Sequence, residues 1–459
     1  EADAVAAVAR DVVAEERARL ADGSPATDLD GLAGNVRERL ASFGADGPAT
    51  TTGTATATGA ETAKGTATAA RSIGPDLTPA LNATGVILHT NLGRAPWPAV
   101  AIEAARRAAA GYSLLEFDRI EGRRGPRFRV AEEHLIALTG AEDALITINN
   151  AAALVLAVGL AGRRGIAVSR GELVEIGGGV RIPEIVRRGG AKLIEVGTTN
   201  RTRATDFEGP LADGRAAAVL RVHPSNFTQA GFTETPDPRA LAELAHAHGA
   251  IVIDDLGSGA FLETAAFGWA HEPTPAERLA AGADLVTFSG DKLVGGPQAG
   301  LIVGRADLIA RIRKDPLARA VRPDKVILAA IAATLGLYRA GRATSEIPIW
   351  RMIAASTETL GRRAEAIRAA LPASVRDRVE VHEMESTIGG GSLPGERLES
   401  VGLAVLGSGA AALAGRLRAG EPAVVGRVER GALLVDLRTI DATDDAALGD
   451  ALAQALEPR

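Results

Sequence analysis

Between residues 79 and 335 two hydrophobic patterns alternate. Short runs that are apolar at nearly every position, "ALITI", "GIAVS", "KLIEVG", "AAAVLRV", "AIVIDD", "DLVTFSG" and "GLIVG", are separated by longer stretches in which apolar residues recur at helical spacing. Continuous apolar runs predict strands buried on both faces, and the spaced pattern between them predicts helices. Such alternation implies right-handed βαβ units around a mainly parallel sheet, so residues 79–335 are expected to form an α/β catalytic domain. Residues 336–459 begin with a long helical stretch and continue into "VRDRVEVHEM" and "PAVVGRVERGALLVDLRTI". The last reads as a hairpin turning at Arg430-Gly431, and a smaller α+β domain is expected to close the chain. Residues 1–48 hold two runs of helical spacing and predict an N-terminal helical region. Residues 49–78, rich in Thr, Ala and Gly and without periodicity, read as a linker.

Composition narrows the function classes. The chain has 459 residues, 46% hydrophobic and 24% charged, enough for two or three domains with substantial cores. A formal charge of -6 argues against a general nucleic-acid coat, so any RNA contact must be regional. The absence of cysteine removes disulfides, thiolate metal sites and thiol nucleophiles, and no metal site is expected. No long uncharged apolar run and no basic-then-apolar leader are present, so a cytoplasmic protein without membrane contact is expected.

The candidate chemistry starts from "FSGDKLVGGPQAG", residues 288–300, where an apolar strand ends on Lys292 beside a glycine-rich turn. Only five of the 51 basic residues are lysines, so a lysine here stands out from a surface otherwise charged by arginine. Asp255 ends another strand in "AIVIDDLGSG". A lysine that takes the cofactor aldehyde and a carboxylate that keeps the pyridine nitrogen protonated are the two groups a pyridoxal phosphate enzyme requires. "NNAAALVLAVGL" predicts a helix with Asn150 at its N-cap, its first N–H groups, at Asn150 and Ala151, open to the phosphate. In "HPSNF" His223, Ser225 or Asn226 could reach the ring hydroxyl, with Asn226 taken as the cofactor contact. Arg94 in "NLGRAPW" and Arg319 with Arg322 at i and i+3 on one helical face offer three guanidinium forks for an anion with several oxygens. Arg123, Arg124, Arg127 and Arg129 form a basic loop that suits phosphates, or simply a solvated charged face.

"LNATGVILHTNLGRAPW", "VSRGELVEIGGGVRIPEI", "EVGTTNRT", "DLGSG" and the Lys292 motif, in this order, resemble the bacterial selenocysteine synthases, L-seryl-tRNA(Sec) selenium transferases. The resemblance is dense over about residues 78 to 340. It implies a fold-type-I pyridoxal phosphate enzyme that converts seryl-tRNA(Sec) to selenocysteinyl-tRNA(Sec) with selenophosphate, by loss of water and addition of selenium. It further implies that Lys292 carries the cofactor, that Asp255 faces the pyridine nitrogen and that Asp291 is an active-site acid. Arg94, Arg319 and Arg322 are then expected to bind selenophosphate, in a homo-oligomer built as a decamer from a ring of dimers. Relative to that family the chain is expected to lack a first helical segment, leaving residues 1–48 as a truncated tRNA-binding module. The alternative is a lyase or aldolase of the same fold acting on a small amino acid or amino-sugar acid.

Overall fold

The computed structural model describes residues 77–457 apart from 126, 177–178 and 407–408, together with positions 12, 16, 31 and 34–36. Those six isolated positions are helical, within the expected N-terminal helical region. The rest of that region, and the linker expected at 49–78 up to residue 76, lie outside the described residues. Residues Asp76–Arg459 form one compact unit and Glu1–Pro75 another.

Among the described residues, twelve strands of four or more residues build the larger unit. They are β1 Ala80–Ala83, β2 Asp143–Thr147, β3 Gly165–Ser169, β4 Lys192–Val196, β5 Ala216–Val222, β6 Ile251–Gly257, β7 Leu285–Ser289, β8 Gly300–Gly304, β9 Val379–Ser386, β10 Leu398–Val405, β11 Ala423–Glu429 and β12 Ala432–Asp436. Seven of them make a central sheet in the order β2-β8-β7-β6-β5-β3-β4. The run from β7 to β4 is parallel throughout. Only β8 is reversed, lying antiparallel to both β7 and β2.

The apolar runs become strands buried on both sides because helices cover both faces. Every residue of β5, β7 and β8 is buried. Alternate side chains enter different layers: Leu285, Leu220 and Ile302 pack with Leu154 and Val158 of the helix α1, Asn150–Gly159. Val286, Phe288, Leu301 and Val303 pack on the other face with Leu135 and with Leu335 of α2, Lys325–Arg339. The helix α2 starts where Asp324 accepts from the N–H groups of Val326 and Ile327.

The smaller sheet, in the order β1-β11-β12-β10-β9, packs against the helices Thr357–Ala370, Ala410–Arg418 and Asp445–Leu456 through Leu360, Ile367, Leu413, Leu448 and Leu452. The hairpin expected at Arg430-Gly431 is present, with φ of 49° and 83° in a two-residue loop between β11 and β12. Both residues being left-handed matches the strand twist that two-residue hairpins require. One boundary differs from expectation. Strand β1 pairs in parallel with Ala423–Gly426, so residues 80–83 belong to the C-terminal sheet and not to the domain they precede. Four residues, "ALNA", carry too little hydrophobic pattern to announce so distant a partner.

Candidate active site

Parallel strands end at the same edge of a sheet, and that is where the chemistry-bearing residues meet. In register, Asp255 of β6 lies between Val222 of β5 and Thr287 of β7. The Thr287 hydroxyl donates to Asp255 Oδ1 at 2.8 Å, and the Asn150 side-chain amide donates to the same oxygen at 2.8 Å. Burial raises the Asp255 pKa; those two hydrogen bonds and the nearby Lys292 amine oppose the rise without cancelling it. Its neighbour Asp254 turns to the opposite face, 3.6 Å from Arg278.

Lys292 lies three residues beyond Ser289, the last residue of β7, and is only 6% exposed. The turn that carries it is held at several points. Gly290 and Gly296 are joined by a backbone hydrogen bond, Leu293 N–H donates to Ser258 O, and Gly295, at φ 72°, donates back to Lys292 O. Burial lowers the Lys292 pKa first and the Arg94 guanidinium second, against the acids Asp255, Asp291 and Glu272. Both effects favour the neutral amine, the form that acts as nucleophile and proton acceptor.

Arg94 closes the same cavity. It follows Gly93, adopts a left-handed φ of 62°, and its Nη1 donates to Asp291 Oδ2 at 2.6 Å. A non-glycine residue held in that region is strained backbone, here at the wall of the cavity that holds Lys292. His223 donates its N–H to Asp255 O at 2.9 Å, and its ring lies 3.5 Å from the buried Glu272, which also accepts from Ser258. Around these groups is a cavity of about 230 Å³ whose lining includes Arg94, Asn150, Ala151, Asp255, Asp291 and Lys292.

Four sequence-based placements change. The N-cap of α1 is Asn149, whose side chain accepts from Ala152 N–H, and Asn150 is the first helical residue. Asn149 also accepts Ala153 N–H through its carbonyl, which leaves the N–H groups of Asn150 and Ala151 for a ligand. Asn226 is exposed and donates to Glu175 O, while Ser225 and His223 line the cavity in its place. Arg319 and Arg322 do not line this cavity. The helix Pro316–Ala320 ends between them, because Pro323 disfavours helical backbone at Arg322, and Arg322 pairs with Glu116 at 2.9 Å. Glu116 also takes Arg124 and Arg127, and Arg129 pairs with Glu132 and Asp143, so these arginines of the basic loop have ion-pair partners within the chain.

Three contributors were not read from the sequence. Thr287 and Ser289 stand in or beside the quoted motif, two positions apart on one face of β7, and Ser289 lines the cavity. The third is Gly391, far along the chain, where a Cβ would stand 3.1 Å from Lys292 Nζ.

Residues 80–441 match the family model described as L-seryl-tRNA selenium transferase. The chain belongs to this family. The L-seryl-tRNA(Sec) selenium transferase of Carboxydothermus hydrogenoformans is 45% identical over 370 residues, 80% of this chain and 79% of that one. The transferase of Moorella thermoacetica is 46% identical over 387 residues, 83% and 82% of the two chains. Among solved structures, a D-glucosaminate-6-phosphate ammonia-lyase superposes with a TM-score of 0.59 at 23% identity, over 83% of this chain and 96% of that one. That likeness is one of fold, the α/β fold-type-I architecture, with the single reversed strand β8 near one edge of the sheet. Within the transferase family's matched region lie Arg94, Asn150, Asp255, Asp291 and Lys292 alike. No helix among the described residues is long and apolar enough to cross a membrane.

Proposed function

We propose that this chain is an L-seryl-tRNA(Sec) selenium transferase that works with pyridoxal phosphate held by Lys292, in the cytoplasm. The observation that carries the reading is the convergence of the buried Lys292 amine, the buried Asp255 carboxylate and the Arg94–Asp291 pair on one cavity at the sheet's edge. The residues fit the cofactor: a buried carboxylate aligned by Asn150 and Thr287 for a protonated ring nitrogen, open N–H groups at Asn150 and Ala151 with Ser289 for its phosphate, and a buried amine of lowered pKa for its aldehyde. Pyridoxal phosphate, when bound, supplies an electron-withdrawing ring that stabilises negative charge at the carbon bearing the substrate amine.

The chain's own residues do the rest. Lys292 Nζ accepts the Cα proton of the seryl group, a role that its burial and Arg94 favour by lowering its pKa. The serine hydroxyl leaves as water, giving a dehydroalanyl-tRNA. Selenium from selenophosphate adds at the β carbon, the phosphorus takes hydroxide from a water to leave as phosphate, and the proton of that water restores the Cα–H bond. Arg94, kept in place by Asp291, supplies a planar fork of donors to the selenophosphate oxygens.

Arg319 and Arg322 serve the site of a second copy in this reading. Both are exposed, Arg322 pairs with Glu116, and the stretch that carries Glu116 exposes Tyr112, Leu114, Phe117 and Ile120, an apolar face suited to a subunit contact. A homo-oligomer, a decamer by family expectation, would thereby complete each site.

The test is direct. Purified protein with pyridoxal phosphate and selenophosphate is given seryl-tRNA(Sec) and, separately, free serine, and the products are identified by mass spectrometry. Selenocysteinyl-tRNA from the first alone is expected, with product lost in Lys292→Ala. Turnover of free serine without any tRNA product would overturn the reading.

A further inference from the structure

Two carboxylates follow each other near the end of β6, and because side chains alternate across a strand they face opposite layers. Asp255 faces the Lys292 cavity. Asp254, 3% exposed, faces the other side, in register with Arg221, the one charged residue of β5. Two more charged groups arrive from outside the sheet: Glu172 from the turn after β3, and Arg278 from the helix Pro275–Ala280. All four, with Thr199 and Gln229, line a cavity of about 320 Å³. Val222 and His223 line both this cavity and that of Lys292, and so form a wall between the two. The His223 ring in that wall lies 3.5 Å from Glu272.

The charges in this second cavity are close but not joined. Arg221 Nε lies 3.9 Å from Glu172 and Arg278 Nε 3.6 Å from Asp254, both beyond hydrogen-bond length. Arg221 is only 9% exposed, yet its Nε and Nη1, like Arg278 Nε, have no hydrogen-bond partner in the chain. Buried donors left open are costly, most of all on a charged group. The other ion pair on the lining, Arg201 with Glu234 at 2.9 Å, balances itself. Glu172 accepts the Val222 N–H. Burial raises its pKa to about 7, with Asp254 adding to the rise and Arg221, the Val222 N–H and Arg278 opposing it. Below that pH two guanidiniums face Asp254 alone. The open donors and the surplus positive charge then ask for the same thing, a negatively charged acceptor.

We propose that this second cavity binds a small oxyanion of the sulfate or phosphate kind, held by Arg221 and Arg278 behind the wall it shares with the Lys292 cavity. The site is additional to the transferase reading and does not depend on it.

The test is calorimetric. Full-length protein loaded with pyridoxal phosphate is titrated with sodium sulfate, which keeps its charge near neutrality where phosphate does not. One saturable site per chain is expected. Binding is expected to survive Arg94→Gln, which removes the guanidinium of the Lys292 cavity, and to weaken at least ~10-fold in Arg221→Lys, which keeps the charge but loses the fork. Glu172→Gln reports on the same site without removing a guanidinium. A bound anion and a protonated Glu172 favour each other, so sulfate affinity in the parent protein is expected to fall between about pH 6 and about pH 8, and to stay level in Glu172→Gln. Sulfate uptake that fails to saturate, that is unchanged in Arg221→Lys or that is lost in Arg94→Gln would overturn the proposal. So would a pH dependence in Glu172→Gln equal to that of the parent. Because the readout is heat and not turnover, the result stands whether or not the protein makes selenocysteinyl-tRNA.

Discussion

At Lys292 the two largest effects point the same way: burial and the Arg94 guanidinium both favour the neutral amine. Removing the guanidinium leaves the acids Asp255, Asp291 and Glu272 less opposed, so the lysine pKa rises in Arg94→Gln. The acid limb of the rate at which the apo protein captures the pyridoxal phosphate aldehyde is expected to move to higher pH in that variant. An unmoved limb would mean that Asp291 already screens Arg94 fully. Glu172 is a buried acid on the other side of Val222, whose N–H it accepts, and burial pushes its pKa up to about 7. Its folded value lies above the ordinary 4.5, so the stability it contributes is full below pH 4.5 and is lost as pH rises to about 7. Glu172→Gln keeps a side-chain acceptor for Val222. Across that window the parent protein is expected to lose up to about 3 kcal/mol relative to the variant, read from urea midpoints at a series of pH values. Parallel curves would instead show a carboxylate that stays ionised against Arg221.

The N-terminus of α1 divides two tasks between adjacent asparagines, and the two substitutions are expected to separate them. Asn149→Ala removes the bond to Ala152 N–H and costs about 1 kcal/mol of stability, with modest effect on the bound ring. Asn150→Ala leaves the cap intact but takes a donor from Asp255, whose pKa then rises further. Cofactor affinity, followed by absorbance during dialysis, is expected to fall roughly tenfold, the equivalent of one charge-assisted hydrogen bond. The same helix shows where sequence reading stops. "NN" before an apolar run says that a helix starts there, but either residue can cap, and only the position of Asp255 on the neighbouring sheet edge decides which one turns inward. Lys292, Asp255 and the sheet were legible because each sits in a local pattern: an apolar run ending in glycine or an acid. Ser225 rather than Asn226, and Gly391 against Lys292, depend on contacts between segments distant in the chain. The i and i+3 spacing of Arg319 and Arg322 suggested one helical face, and Pro323 ends that helix too early for it.

For the whole molecule, the surface position of Arg319 and Arg322 makes the completeness of one chain testable. If they act on a neighbour's site, Lys292→Ala and Arg322→Ala are each inactive alone but complement when unfolded and refolded together. In a random mixture half of the dimers are mixed and each has one intact site, so about a quarter of parental activity is expected. No recovery would place Arg322 in its own chain's chemistry, or outside it.

The pairing of β1 with β11 has a further meaning for how the protein is made. The Arg427 guanidinium reaches Thr84 O, 343 positions earlier in the chain. At ordinary translation speeds the ribosome needs roughly 20 to 70 s to cover that distance. Through that interval the strand Ala80–Ala83 has been synthesised and its partner has not, while the whole central sheet can form in between. The smaller domain is therefore sealed last, by the oldest part of its own sheet. A message truncated before residue 423 would release a catalytic core with that strand still unpaired, a natural handle for chaperones.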